Sequence, residues 1–218
     1  CQDSLLDTSD KVFDVILANP PFGMRPQGSV DVSSHRPEFE KTSDNQVNFL
    51  QHIMSIVKTG GRVGVVLPDD VLTDKSAALL VRKKLLEEFN LHTILILPTG
   101  IFYAQGVKTN VLFFEKGTPT KETWVYDYRT NIKHTLVQNP LKRDDLEDFV
   151  NCYAGGKMDS RVETYSEDNP NGRWRKFSID EIKERNYNLK LNWIVTEDKY
   201  KDLNVFDLLN LILSLIHI

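Results

Sequence analysis

Four stretches of the chain are nearly uninterrupted apolar runs of strand length: Val12 to Ala18, Arg62 to Leu67, Thr93 to Leu97 and Asn110 to Phe114. Such runs suit strands covered on both faces, as in a parallel sheet flanked by helices. Between the first two, Val47, Leu50, Ile53, Met54 and Val57 recur at helical spacing, which predicts a helix over 46–58. Ser43, Asp44 or Asn45 can cap its start, and Gly60 can end it. Between the second and third runs, Ala78, Val81, Leu85, Leu86 and Phe89 share one face of a helix predicted over 75–89, capped by Thr73 or Asp74. The order strand, helix, strand, helix, strand, strand describes a doubly wound α/β domain.

Three of the strands stop at proline: Asn19-Pro20, Leu67-Pro68 and Leu97-Pro98. Proline removes a ladder donor, so these positions mark the carboxyl edge of the sheet, where open α/β sheets bind ligands. Residues 23–44 show no convincing period, and a connection of that length is functional or disordered. After about Lys116 the pattern changes. Residues 123–128 alternate like a strand, 144–153 and 180–185 read as helices, and 155–172 are polar and rich in turn residues. Two domains follow from this: residues 1–120 form the α/β core, and residues 121–218 form an α+β extension.

Charge narrows the partners. Lys and Arg number 27 against 31 Asp and Glu, a net charge of -4. Neither half of the chain is a basic arm, so any affinity for DNA must come from local geometry or a partner subunit. Cys1 and Cys152 have no paired spacing, which argues against a zinc site and suits a reducing, cytoplasmic compartment. The chain opens with Cys1-Gln2-Asp3 and shows no signal-peptide pattern, so it reads as a piece of something longer. The apolar run 205–218 is too short to span a bilayer. It reads as a buried or subunit-facing helix, or as a non-native tail.

The most informative stretch runs from Phe13 to Gly23, where a buried strand delivers Asn19-Pro20-Pro21-Phe22 into the ligand crevice. Two consecutive prolines lock φ and bias the residue before each to extended backbone, which makes this loop stiff. It resembles the Asn-Pro-Pro-Phe motif of S-adenosylmethionine-dependent amino-methyltransferases, in particular the DNA adenine-N6 group. Residues 60–68, 81–86, 97–102 and 106–114 extend the similarity to the modification subunit of type I restriction-modification systems. Trp174-Arg175-Lys176-Phe177 and Asn186-Tyr187-Asn188-Leu189 continue it more loosely.

The resemblance implies a Rossmann-like class I methyltransferase fold, of which residues 1–120 are the C-terminal half of the catalytic domain. Asn19, Pro20, Pro21 and Phe22 become the catalytic set. An exocyclic amino nitrogen is a poor nucleophile, and it needs acceptors for its hydrogens more than a strong base. The Asn19 side chain and the Pro20 carbonyl supply both by positioning and electrostatics. The adenine must be flipped out of the duplex, and Phe22 is the candidate to stack on it. Phe102 and Tyr103 are either a core plug or a DNA-facing wall. Asp69 and Asp70 at the sheet edge are either a solvated turn or part of the site.

The family holds its cofactor at a Gly-rich turn upstream of this motif, and only 18 residues precede Asn19. Gly60-Gly61 follows a predicted helix and reads as a cap. The chain alone is therefore expected to be inactive and to bind S-adenosylmethionine weakly. Arg173, Arg175 and Lys176 are candidate nucleic-acid contacts. Arg82-Lys83-Lys84 reads as a solvent-exposed face. The resemblance implies DNA, a specificity subunit and a restriction subunit as partners, with 121–218 as the docking part. Two alternatives stay open: amino-methylation of an rRNA guanine or a protein glutamine, and a non-catalytic assembly module.

Overall fold

A computed structural model describes residues 4–6, 11–24, 29–103, 106–129 and 134–194. The apolar run 205–218 lies outside the described residues. In chain order the elements are β1 (Phe13–Ala18), α1 (Val32–His35), α2 (Asn45–Ile56), β2 (Val57–Pro68), α3 (Asp69–Thr73), α4 (Ala77–Glu88), β3 (Phe89–Ile96), β4 (Thr109–Lys116), β5 (Glu122–Asp127), α5 (Glu147–Tyr153), β6 (Trp174–Ser178) and α6 (Ile179–Glu184). They build one six-stranded sheet of order β1-β2-β4-β3-β5-β6.

The pairs β1–β2 and β3–β5 are parallel, whereas β4 runs antiparallel to both β2 and β3 and lies between them. The expectation of a parallel sheet therefore fails at β4. The segment joining β3 to β4 contains no described helix to carry a crossover, and a chain that returns directly must pair antiparallel. The segment read as an extension does not form a separate layer. Its β5 and β6 continue the same sheet.

Alternate residues of the strands fill two cores, as the pleat requires. On one face Val63, Val65, Leu67, Ile94, Leu112, Phe114 and Val125 pack with the apolar faces of α2 and α4. On the other, Leu95, Leu97, Trp124, Tyr126 and Trp174 gather around Phe149 of α5. Only the first core reaches β1. Ile16 and Ala18 rest on it, while Val15 and Leu17 on the opposite face are 53% and 81% exposed. Among the described residues β1 pairs with β2 alone. The expectation that this strand is covered on both faces is thus corrected, because no described element lies over its second face.

Local chemistry sets the helix ends. The Asp44 carboxylate accepts from the backbone N–H groups of Gln46 and Val47 at 2.8 and 3.1 Å, so α2 begins where one of the cap candidates stands. Gly60 does not end that helix. The cap is Val57, and Gly60 sits inside β2 at φ 76°, beside a register irregularity against β1. The second predicted helix is α4, but its cap position is Ser76 and not Thr73 or Asp74, and the short α3 precedes it. Ser178 and Glu181 form a reciprocal capping box on α6.

Residues 29–44 are folded down onto α2. Val32 and Phe39 share a small core with Leu5. The Gln51 side chain exchanges hydrogen bonds with both backbone groups of Glu40. Arg82 also departs from expectation. It is buried, and it donates to the carbonyls of Tyr187, Val71 and Asp74 at 2.9, 2.7 and 2.7 Å. A helix face that reads as charged faces inward at this one position because three backbone acceptors converge on it.

Candidate functional site

β1, β2 and β3 run the same way, so their proline-terminated ends lie along one edge of the sheet. The chain leaves β1 at Ala18 and presents Asn19 exposed, Pro20 buried, Pro21 exposed and Phe22 half-buried. Neither following residue, Pro20 nor Pro21, carries an N–H, so the loop cannot be tied down by its own amides. Gln46, at the start of α2, donates its side-chain amide to the Pro21 carbonyl at 2.6 Å. One step on, Met24 bridges Asp44. The excursion 24–44 therefore begins and ends at the same point.

Phe22 meets Phe102 edge-on, with ring centroids 5.5 Å apart and an interplanar angle of 76°. Phe102 is half-buried and Tyr103 is 91% exposed. Of the two alternatives for this pair, Phe102 is nearer the core plug, since it packs against the core around Phe149 and also backs Phe22.

Asp69 sits at the end of β2. Its carboxylate accepts from Asn110 at 2.8 Å and pairs with Lys190 at 3.1 Å, while its amide donates to the Lys108 carbonyl at 3.0 Å. Leu97 in turn donates to Thr109. These bonds close the base of the 98–108 loop that carries Phe102. Asp69 is thus a structural clasp, and it differs from Asp70, for which no side-chain bond is found among the described residues.

The basic cluster is not brought to this place. Arg173, Arg175 and Lys176 are on or beside β6, five strand positions from β1, which at ~4.8 Å per strand is about 24 Å. Their heads are also engaged. Arg173 donates to the carbonyls of Asp127 and Arg129, Arg175 lies over the rings of Tyr165 and Phe177, and Lys176 pairs with Glu122 and covers Trp124.

Sequence reading missed Gln46 and the Asp69–Lys190 pair. Gln46 gives no signal in the chain, since a glutamine in the first turn of a helix is ordinary. Lys190 reaches Asp69 only because Asn186 and Tyr187 adopt left-handed φ values of 53° and 57° and turn the chain back toward α3.

The model of the N-6 DNA Methylase family matches residues 2–202. The chain belongs to that family. It is 36% identical over 215 residues to the methylase subunits of the type I restriction enzymes StySJI of Salmonella typhimurium and EcoKI of Escherichia coli, which it matches over 84% of its own length and 40% of theirs. Among solved structures, the EcoKI M protein superposes with a TM-score of 0.73 at 33% identity, covering 95% of this chain and 49% of that one. A structure of a type I restriction-modification system gives 0.75 at 26% identity. This N-6 DNA methylase chain therefore spans less than half the length of the curated relatives it matches.

Membership implies S-adenosylmethionine as donor. Of the glycines near the strands, the pair at 60–61 is the one to test as a seat for the adenosine of that donor, and it does not fit. Gly60 and Gly61 lie near Phe13, at the far end of β1 from Asn19, and a side chain at Gly61 would meet Val57 and the backbone of Lys58 and Phe13 at 2.7–3.0 Å. Gly61 serves close strand packing and Gly60 supplies a positive φ beside it, which leaves no cradle for a ligand at Gly61. Among the described residues no helix is long and apolar enough to cross a membrane.

Proposed function

We propose that this chain is the acceptor-handling part of a DNA adenine-N6 methyltransferase, the modification subunit of a type I restriction-modification system. The observation that carries the reading is the loop at the end of β1. The Asn19 side chain is exposed there, and among the described residues no hydrogen bond occupies it or the Pro20 carbonyl, while the neighbouring Pro21 carbonyl is taken. Two free acceptors side by side suit the two hydrogens of an adenine amino group. Accepting both draws the nitrogen toward a tetrahedral shape and frees its lone pair, and the rigid loop makes that alignment without reorganisation.

Phe22, backed by Phe102, offers a face to the extruded base. S-adenosylmethionine, when bound, supplies the methyl group. The rest of the catalytic domain, including the donor site, would cover the unpaired edge of β1 and its open face at Val15 and Leu17. In this reading DNA is gripped mainly by a specificity subunit docked through residues 121–218, with a restriction subunit beyond it, in the cytoplasm. Arg173, Arg175 and Lys176 then belong to the fold more than to the DNA contact.

The test is methyl transfer from labelled S-adenosylmethionine to DNA by the full-length subunit assembled with its specificity subunit. Asn19→Ala should lower turnover by about 100-fold or more, the scale of losing one preorganised partner of the reacting group. Phe22→Ala should cost about 5- to 150-fold, matching ~1–3 kcal/mol of base stacking. Undiminished methylation by Asn19→Ala would leave the chain an assembly module.

A further inference from the structure

The Asn-Pro-Pro-Phe loop is stiff within itself but has little means of fixing its own orientation on the sheet. Asn19 and Pro20 each precede a proline and are held extended. Along such a backbone successive carbonyls turn by about 120°. Holding the Pro21 carbonyl therefore fixes the heading of the Pro20 carbonyl before it and of the Phe22 backbone after it. Gln46 is the side chain that holds it. Its Nε2 lies 2.6 Å from the Pro21 oxygen, and the residue is 4% exposed, so water does not compete for the bond. Gln46 is itself anchored, since its amide donates to the Asp44 cap at 2.8 Å and Asp44 bridges Met24 just past the loop. No other described side chain bonds to the four residues of the loop.

We infer that Gln46 is a positioning residue for the acceptor base: by occupying the Pro21 carbonyl it leaves the Pro20 carbonyl as the free acceptor and sets the plane from which the Phe22 ring projects. The inference rests on the reading of Asn19 and Pro20 given above. It makes a glutamine that never touches substrate govern the rate of transfer and not the affinity for DNA.

The experiment uses the full-length subunit with its specificity subunit, S-adenosylmethionine and duplex DNA, with single-turnover rates normalised to titrated donor-binding sites. Gln46→Met keeps the length of the side chain without the donor. It should transfer methyl about 10- to 100-fold more slowly, the scale of a small misplacement of reacting groups, with the Kd for DNA and donor within about twofold of wild type. Gln46→Glu should be equally slow at pH 8 and recover as the pH falls toward 6. The introduced carboxyl becomes a donor to the Pro21 carbonyl only when protonated, and a merely structural role would give no such rescue. Wild-type rates for Gln46→Met, or a Gln46→Glu rate with no acid recovery, would overturn the inference. Asn19→Ala run alongside separates the two levels. If it is inactive while Gln46→Met is normal, only the role of Gln46 fails. If both are normal, the acceptor site itself has been misassigned and the inference falls with it.

Discussion

Replacing Arg82 by methionine removes three donors and keeps most of the aliphatic volume. The guanidinium is 2% exposed, and burial pulls its pKa from 12.5 down to about 10, with the nearby Asp74 charge opposing that fall. It therefore stays charged at neutral pH. Three hydrogen bonds from a charged donor contribute about 1.5–3 kcal/mol each, roughly 4.5–9 in all. The three bonds share one buried head group and do not add in full, and we expect about 3 kcal/mol of lost stability for Arg82→Met, the scale of breaking a buried charged network. The loss should be local first, because two of the acceptors, Val71 and Asp74, belong to α3 and its C-cap and the third to the turn at Tyr187, which Arg82 ties together. Urea denaturation followed by tryptophan fluorescence measures the total, with Trp124 and Trp174 buried in this sheet as reporters. Hydrogen exchange at the Leu189 amide, which donates to the Leu72 carbonyl, measures the local part. A change below about 1 kcal/mol with the Leu189 amide still protected would show that Arg82 is not the tie.

Three further outcomes follow from the geometry. Phe102→Ala leaves Phe22 unbacked and should lower turnover about tenfold, an edge-on ring pair being worth about 0.5–1.5 kcal/mol, while Phe102→Leu, which keeps most of the packing on the second core, should lose turnover with a smaller fall in melting temperature; a kinetic assay with a melt decides it. Gly100 has φ 88°, and a Cβ there would lie 2.7 Å from the His134 carbonyl, so Gly100→Ala should destabilise by about 2 kcal/mol and loosen the loop that bears Phe102, seen as faster proteolysis within it. Burial, and then the charge of Arg161, push His92 from 6.5 down to about 4, so the folded chain carries it neutral while the unfolded chain protonates it. Its stability is whole above pH 6.5 and declines by about 3 kcal/mol as pH falls to 4, and His92→Gln should flatten that slope in melts taken across the window.

The parts of this fold that could be read from the chain are those decided locally. Proline after Asn19, Leu67 and Leu97 marks a real edge, and the apolar stripes of α2 and α4 are where periodicity puts them. What escaped was decided by partners distant in sequence. Arg82 looks solvated until Val71, Asp74 and Tyr187 converge on it, and Tyr187 is 105 positions away. The antiparallel direction of β4 depends on which strands leave a gap, and nothing within residues 109–116 says so. The openness of β1 is likewise invisible, since Val15 and Leu17 look like core residues and in this chain have nothing described above them. The Asn-Pro-Pro-Phe tetrapeptide could be read because its residues are contiguous, whereas its supports, Gln46, Phe102 and Asp69, come from three other segments.

The wedged position of β4 makes the chain a candidate for fragment complementation. Its two neighbours, β2 and β3, both come earlier in the chain and share no hydrogen bonds with each other, so a chain cut between Tyr103 and Gly106 would leave the first piece with a slot one strand wide. The second piece brings the strand that fits it and, through β5, a second grip on β3. Two polypeptides divided at that loop should find each other and rebuild the sheet, with neither able to close it alone.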